Sequence, residues 1–264
     1  MPESVVGRAL DDLTPVFSRF HTWRSLAAVD IRSKYRRTYL GPWWITASNG
    51  IFAFIIGTVS GRFLGSNMQE YLPFFITGMT IWGFVSSAII ESCTTLIQSG
   101  GLIRATNMPL VIYIMRMVQR NFIIFLHNSA VIPIVWLVYP WHVGFYALTA
   151  LIGFFFLYVC VSSISLAVSI VCVRYRDVPP IVTALVQVLF FISPIIWQPS
   201  QLRGGHEVLL FNPIAHLLVI TRDPILGKTV PLMSFGISAL TALLCASVAL
   251  AIYSRYKKRV VFWV

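Results

Sequence analysis

The chain has 264 residues, of which 57% are hydrophobic and only 11% are charged. About a quarter of the residues in a water-soluble domain are charged, so this composition excludes a soluble globular protein and indicates an integral membrane protein. The net charge of +11 is expected from basic cytoplasmic loops. We therefore expect membrane lipid as a partner and no nucleic acid, although basic runs can also bind nucleic acid.

The first forty residues are polar and precede the first long apolar run. They contain Glu3, Asp11 and Asp12 but no apolar core of a signal peptide, so we expect residues 1–40 to be a cytoplasmic tail. Residues 17–37 repeat apolar side chains at helical spacing, which predicts an amphipathic helix in the membrane interface. Attachment to anionic lipid and a platform for a cytoplasmic partner both stay open as its role. The apolar face is Phe17, Phe20, Ala27, Ala28, Ile31 and Tyr35.

Six apolar stretches are long enough to cross a hydrocarbon core of about 30 Å as helices. Residues 121–173 contain no Asp, Glu, Lys or Arg, and Pro140 divides them into two crossings because proline cannot continue a helix. The fourth span is longer than a crossing needs, so we expect it to tilt or to project from the membrane. Within a transmembrane domain of residues 41–254, the predicted spans are 43–61, 71–97, 116–138, 143–173, 179–198 and 230–254.

The distribution of cations predicts the orientation. Sixteen of the 20 Lys and Arg residues lie on the side that holds both termini, so the positive-inside rule places both termini, including the tail 255–264, in the cytoplasm. Residues 201–227 then lie on the outer side. Because this segment is mostly apolar and is broken at Asn212-Pro213, we predict two short re-entrant helices. An interfacial helix pair without a gating role is the alternative.

The first span carries a row of small residues at four-residue spacing. Such a row permits close approach of two helix backbones. Dimerisation of two subunits and packing within one subunit are both compatible with it. The row is Ala53, Gly57, Gly61 and Gly65.

The sequence contains no catalytic motif. Gly227-Lys228-Thr229 resembles the end of a P-loop, but the first glycine of that motif would fall at position 222, which is Arg. The four cysteines lie in apolar runs without metal-ligand spacing. We expect no catalytic residue, metal or cofactor in this chain, and an enzyme acting on lipid-linked sugars would lack a positioned acid–base pair.

Glu91 is the one acid within a long apolar run. An ionisable side chain at such a position is a candidate functional group. We predict that it forms a structural ion pair with Arg116 or Arg120 of the third span. An ion-coupled secondary transporter, in which Glu91 carries the coupling proton, is the alternative function.

Four stretches resemble the permeases of ABC-2 type polysaccharide exporters, the Wzm and KpsM group. VDIRSKYRRTYLGPWW at 29–44 is similar to their motif from interface helix to first span. RYRDV at 174–178, SPIIW at 193–197 and NPIAHLLVITRDPILG at 212–227 continue the resemblance in order. RYRDV is closer to the O-antigen exporters than to the capsule exporters, and Trp197 stands where tyrosine is more common.

The resemblance implies an all-α permease of the bacterial inner membrane that exports a lipid-linked polysaccharide, O-antigen or a related glycan. Two copies would pair with two copies of a separate ATPase subunit, which would hold ATP and Mg²⁺. The loop 98–112 would supply a coupling helix, and residues 201–227 would form an outer gate. Spans one, two and five would line the pore.

The resemblance also implies roles for individual residues. The ATPase contact would consist of Arg32, Lys34, Tyr35, Arg36, Arg37, Gly100, Arg104, Asn107 and Pro109. The cytoplasmic loop after span four would consist of Arg174, Tyr175, Arg176 and Asp177. The outer gate would include Pro194, Asn212, Pro213 and His216.

Aromatic residues make up 14% of the chain, and several lie deep in the predicted spans. Their broad faces can pack on sugar rings, although each can equally be a lipid-facing or core residue. The candidate substrate path consists of Trp44, Phe52, Phe75, Trp82, Phe190, Phe191 and Trp197.

Overall fold

The structure, a computed structural model, describes residues 20–34, 43–106, 108–201 and 210–264, without the side chains of Lys34 and Ile45. All regular elements within these residues are helices, which confirms the predicted all-α class. The following predicted site and interface-helix residues lie outside the described part: Phe17, Tyr35, Arg36, Arg37 and Asn107.

Ten α-helices follow one another along the described residues. Short 3₁₀ turns at Phe145–Thr149 and Pro199–Gln201 join some of them. The α-helices are α1 Phe20–Lys34, α2 Trp43–Phe63, α3 Met68–Gln98, α4 Gly100–Ala105, α5 Leu110–Asn128, α6 Val131–Val138, α7 Ala150–Arg174, α8 Val178–Ile192, α9 Pro213–Arg222 and α10 Leu232–Trp263.

Four helical stretches in the described residues are long and apolar enough to cross a membrane. They are Met68–Gln98, Leu110–Val138, Phe145–Arg174 and Leu232–Trp263. The chain is therefore a multi-pass membrane protein. The third of these combines the first 3₁₀ turn with α7, and the second combines α5 with α6.

Two predicted boundaries differ from the structure. The fourth span was expected to be one helix from residue 143, but α7 begins at Ala150 and has 25 residues. The fifth was expected to reach residue 198, but α8 ends at Ile192 after 15 residues, because Pro194 cannot continue a helix. At 1.5 Å per residue α8 is about 22 Å long, shorter than a hydrocarbon core.

Helices α3 and α7 form the centre of the fold. Helix α7 packs against α3, α5, α9 and α10, while α3 also contacts α2 and α8. Ile81 and Leu96 of α3, Val118 of α5, and Val161 and Ile170 of α7 are buried in this core.

The row of small residues on α2 packs within the subunit. Ala53 is buried, a Cβ on Gly57 would lie 2.9 Å from the ring of Phe75, and a Cβ on Gly61 would lie 2.7 Å from the ring of Tyr71. The structure thus uses this face of α2 to bring it against α3.

Helix α9 lies unusually close to α7. A Cβ on Gly153 would overlap the backbone carbonyl oxygen of Ile220, so only glycine permits this approach. Gly227, which follows α9, has a φ of +72° and would overlap the carbonyl oxygen of His142 if it carried a Cβ. These two glycines permit the close approach of α9 to α7 and of the turn after α9 to His142.

Replacing Gly153 with alanine will destabilise the protein, because a backbone oxygen cannot give way as a flexible side chain can. We expect Gly153→Ala to lower the free energy of unfolding by about 1–3 kcal/mol, measured by thermal unfolding in detergent. Gly236→Ala is the matched control, since nothing lies within 4 Å of its Cβ position. That variant should be neutral or slightly stabilised, and equal losses in the two would contradict the close approach.

Candidate functional site

Four charged side chains connect α1, α3 and α5 in one network. Arg116 of α5 donates two hydrogen bonds to Asp30 of α1, from Nε at 2.7 Å and from Nη2 at 2.5 Å. Arg120 donates to the same carboxylate at 3.1 Å and also pairs with Glu91 of α3. We call Asp30, Glu91, Arg116 and Arg120 the ion network.

Helical spacing explains how the network forms. Arg116 and Arg120 are four residues apart on α5 and therefore share a face. Asn121 follows and donates from its side-chain nitrogen to Oε2 of Glu91 at 2.6 Å. The other carboxylate oxygen of Glu91, Oε1, accepts a hydrogen bond from Arg120. Both oxygens of Glu91 therefore have a donor.

Helix α1 is seated on α5 by apolar contacts beside the network. Trp23, Ala27 and Ile31 are buried at four-residue spacing, and α1 packs against α5. Phe20, which the sequence placed on the apolar face, is 42% exposed. The buried face is therefore rotated from the predicted one and brings Asp30 toward the arginines.

The environment of Asp30 keeps it ionised. Burial acts to raise the pKa of Asp30, but the hydrogen bonds and positive charges of Arg116 and Arg120 outweigh burial and hold the pKa below its ordinary value of 3.8. By residue type the network joins two acidic and two basic side chains, so its formal charges balance.

The sequence predicted that Glu91 pairs with Arg116 or Arg120, but it did not identify Asp30 as a member of the network. Of the two partners considered for Glu91, the structure places Arg120 on it, whereas Arg116 binds Asp30. Asp30 is the only acid in residues 17–37. An isolated acid within such a basic segment is the signal that could have identified it.

A groove opens beside the network where α3 ends. Its volume is about 210 Å³, and Gln98, Tyr113, Arg116 and Arg120 are among the residues that line it. The short helix α4 follows directly. It occupies the predicted coupling loop.

Helix α4 presents one face to the protein and one to its surroundings. Gly100 is buried and would clash with the side chain of Val264 if it carried a Cβ, while Arg104 is exposed. Pro109 is the residue that precedes α5. On α1, Arg32 is also exposed.

The candidate substrate-path aromatics divide into two sets. Phe75 and Trp82 are buried between helices, and the Trp82 ring centroid lies 6.0 Å from that of Phe190. Trp197 donates from its indole nitrogen to the carbonyl oxygen of Phe191 at 2.9 Å. The residues with exposed rings are Trp44, Phe52 and Phe191.

A small cavity with several polar side chains, here called the polar cavity, lies between α2, α3 and the junction of α5 with α6. It has a volume of about 170 Å³, and Asn49, Thr80, Ser87 and Asn128 line it beside Phe52. Sequence reasoning did not single out these polar residues. Thr80 and Ser87, seven residues apart on one face of an apolar helix, are the pattern that could have indicated it.

The outer-gate residues predicted from the sequence meet at the opposite end of α3. Asn212 caps α9 by accepting from the backbone nitrogens of Ile214 at 3.0 Å and Ala215 at 3.3 Å. Pro213 is the first residue of that helix. His216 contacts the Ser234 hydroxyl of α10 at 3.1 Å.

Arg222 at the end of α9 is the buried centre of this region, and sequence reasoning missed it. It is 1% exposed, donates to the carbonyl oxygen of Pro194 at 2.6 Å and pairs with Asp223 at 3.1 Å. Its guanidinium carbon lies 3.7 Å from the ring centroid of Phe74. Arg222 thus connects α9 to Pro194, just after the end of α8, and to Phe74 of α3.

Comparison with known proteins assigns the chain to a family. Residues 21–226 match the model of the ABC-2 type transporter family. The chain belongs to the ABC-2 type transporter family. This confirms the resemblance found in the motifs and makes the chain a transmembrane component of a transporter.

The curated relatives of this ABC-2 protein are exporter permeases. It is 22% identical over 239 residues to two O-antigen export system permease proteins RfbA of Klebsiella pneumoniae, covering 87% of this chain and 90% of each relative. It is 20% identical over 234 residues to the RfbA protein of Myxococcus xanthus, covering 84% of this chain and 88% of that relative. The similarity therefore extends over most of both chains.

Removing the charge of Asp30 will loosen α1 from α5. We expect Asp30→Asn to lower the free energy of unfolding by about 2 kcal/mol, because two arginines lose a charged acceptor, and to speed trypsin cleavage at the exposed Arg24. Since the folded-state pKa is depressed, this stabilisation is present above about pH 3.8 and is lost as the pH falls through the folded-state value.

Ser33→Ala is the control for this experiment, because Ser33 is exposed on the same helix and, among the described residues, its hydroxyl donates a hydrogen bond only to the carbonyl oxygen of Val29 of α1. Thermal unfolding in detergent and timed proteolysis give the two readouts. Identical behaviour of Asp30→Asn and Ser33→Ala would contradict the anchoring role of the network.

Proposed function

We propose that this chain is the permease subunit of an ABC exporter for a lipid-linked polysaccharide, O-antigen or a related glycan, in the bacterial inner membrane. Two copies form the permease. Two copies of a separate ATPase subunit, which hold ATP and Mg²⁺, drive it. The permease itself contributes the path and the mechanical coupling.

The observation that carries the proposal is the polar cavity between α2 and α3. Asn49 of α2 and Thr80 and Ser87 of α3 line it, and Phe52 beside it is 53% exposed. Sugar hydroxyls need hydrogen-bond partners within a bilayer, where water is absent. Hydroxyl and amide side chains next to an exposed ring supply weak polar contacts and an apolar surface along which a glycan can slide.

The arrangement of α1 and α4 supports an ATPase platform. The exposed Arg32 of α1 and Arg104 of α4 belong to elements held against α5 and α3. The positive-inside rule predicts that both face the cytoplasm. Cations on packed elements offer a firm docking surface for an acidic groove of a partner.

We propose six crossings for each subunit. The four long stretches supply four, α2 with 21 residues supplies the fifth, and α8 together with residues 193–197 supplies the sixth. Helix α9 is the re-entrant element, supported by its buried side chains. Exposed apolar side chains on α2 and α8, such as Ile55 and Leu185, are available to the second copy.

Reversing the charge of Arg104 will weaken the ATPase contact. We expect Arg104→Glu to reduce the ATPase subunit that co-purifies in mild detergent from the native host by about tenfold. Arg62→Glu is the matched control, since Arg62 is exposed at the opposite end of α2 and is predicted to face outward. Equal losses in both variants would place the contact elsewhere.

Making the cavity apolar will slow export without releasing the ATPase. We expect Asn49→Leu to reduce ATP-dependent export of the host's lipid-linked glycan from inverted membrane vesicles by about tenfold. Ser48→Leu is the control, because Ser48 is exposed one position away and does not line the cavity. If both variants export normally, the cavity is not the path.

One preparation tests the function as a whole. A stoichiometric ATPase partner and glycan export that stops without ATP would support the exporter. A homo-oligomer that purifies without a partner, and whose transport collapses with an ionophore and in Glu91→Gln, would instead establish an ion-coupled transporter.

A further inference from the structure

A basic and aromatic pocket lies between the ends of α7 and α10, separate from the ion network. Its volume is about 380 Å³. Two apolar residues of α7 line it together with two arginines, Arg174 and Arg259, and three aromatic residues, Tyr175, Tyr256 and Trp263. We call this cavity the α7–α10 pocket.

Two aromatic rings lie within cation–π distance of one of the arginines. The guanidinium carbon of Arg174 lies 5.2 Å from the ring centroid of Trp263 and 5.8 Å from that of Tyr175. The rings of Tyr256 and Trp263 are 5.8 Å apart. A cation–π contact attracts the guanidinium to the rings without using its N–H groups as hydrogen-bond donors, so these groups can bind an anion.

The positive charge of the pocket is not neutralised within the described part of the chain. The ion pairs found there involve Arg116, Arg120 and Arg222. Neither Arg174 nor Arg259 has an acidic partner among them. Two cationic side chains line the same cavity, and no carboxylate is among its described lining residues. The cavity therefore attracts an anionic group.

The position of the pocket along α7 and α10 indicates its depth in the membrane and hence the source of the anion. The uncharged run of α7 ends at Val173, and that of α10 ends at Ser254. Ile170 and Val171, which line the pocket, belong to the uncharged run of α7. The pocket therefore lies where hydrocarbon gives way to lipid headgroups, the depth at which Trp, Tyr and Arg side chains concentrate.

We propose that the α7–α10 pocket binds the phosphate of an anionic membrane lipid. The forked N–H groups of Arg174 and Arg259 hold the phosphate oxygens, and the acyl chains lie along the apolar surface of α7. The bound lipid joins the ends of α7 and α10. Val264, just after α10, lies against Gly100 of α4. A lipid that holds the end of α10 in place therefore also stabilises the position of α4. This site stands whether or not the exported substrate is a glycan.

The test measures lipid binding to the purified full chain in neutral detergent by native mass spectrometry and by thermal unfolding. The probes are phosphatidylglycerol, phosphatidylcholine with the same acyl chains, and inorganic phosphate. We expect phosphatidylglycerol to bind about tenfold more tightly than phosphatidylcholine and to raise the midpoint of unfolding. Millimolar inorganic phosphate should not displace it.

Matched variants locate the site. Arg174→Gln with Arg259→Gln should reduce phosphatidylglycerol affinity by about tenfold or more. Arg255→Gln with Lys258→Gln removes the same charge from exposed positions outside the pocket and should reduce it by no more than about threefold. Arg174→Lys with Arg259→Lys keeps the positive charge and should retain measurable preference for the anionic lipid.

Each contrary result overturns the proposal in a different way. Equal losses in the two glutamine variants mean diffuse attraction to the basic end of α10. Displacement by inorganic phosphate alone means a free-anion site. Equal binding of the two lipids means that the pocket does not distinguish the anionic headgroup from the zwitterionic one.

Discussion

The balanced charges of the ion network hold the membrane core and its amphipathic helix together. Asp30, Arg116, Arg120 and Glu91 come from three helices, and each is only partly exposed. An arginine in this position without an acceptor would be costly, as would a carboxylate without a donor. The network is therefore stable only when α1, α3 and α5 are all in place, so it makes the seating of α1 conditional on the packing of the core.

The opposite end of α3 uses the same chemistry with a different partner. Arg222 is almost fully buried and directs its guanidinium to the carbonyl oxygen of Pro194, to Asp223 and to the face of Phe74. The carbonyl is available because α8 ends before Pro194. A proline that breaks a helix at membrane depth leaves backbone groups that need partners, and Arg222 meets that need while fixing α9.

Composition and periodicity predicted the helical class, and the motifs predicted the family, because both depend on local sequence. The pairing of Glu91 with an arginine of the third span could also be predicted, since one acid in an apolar run has few partners. Asp30 could be singled out as the one acid of a basic segment, but its partners could not be predicted, and neither could those of Arg222, because they depend on which faces of α1 and α9 pack inward. The packing partner of the small residues of α2 could not be predicted either, because the sequence permits packing within one subunit or between two. In the structure Phe75 and Tyr71 of α3 pack on that face.

Helix α3 is the point at which the separate contacts of the fold converge. It leads through Ser99 directly into α4, whose six residues bury only Gly100 and Ile103, so α4 depends on α3 and on the end of α10 for its position. Helix α1 reaches α3 by another route, through Arg120 and Glu91. The polar cavity lies on the same helix, midway between Glu91 and the Arg222 contact. A displacement of α1 or α4 by a partner would therefore reach the cavity through α3, since a rigid helix transmits motion along its length. Arg120, which pairs with both Asp30 and Glu91, carries the route from α1, and the two routes meet on α3.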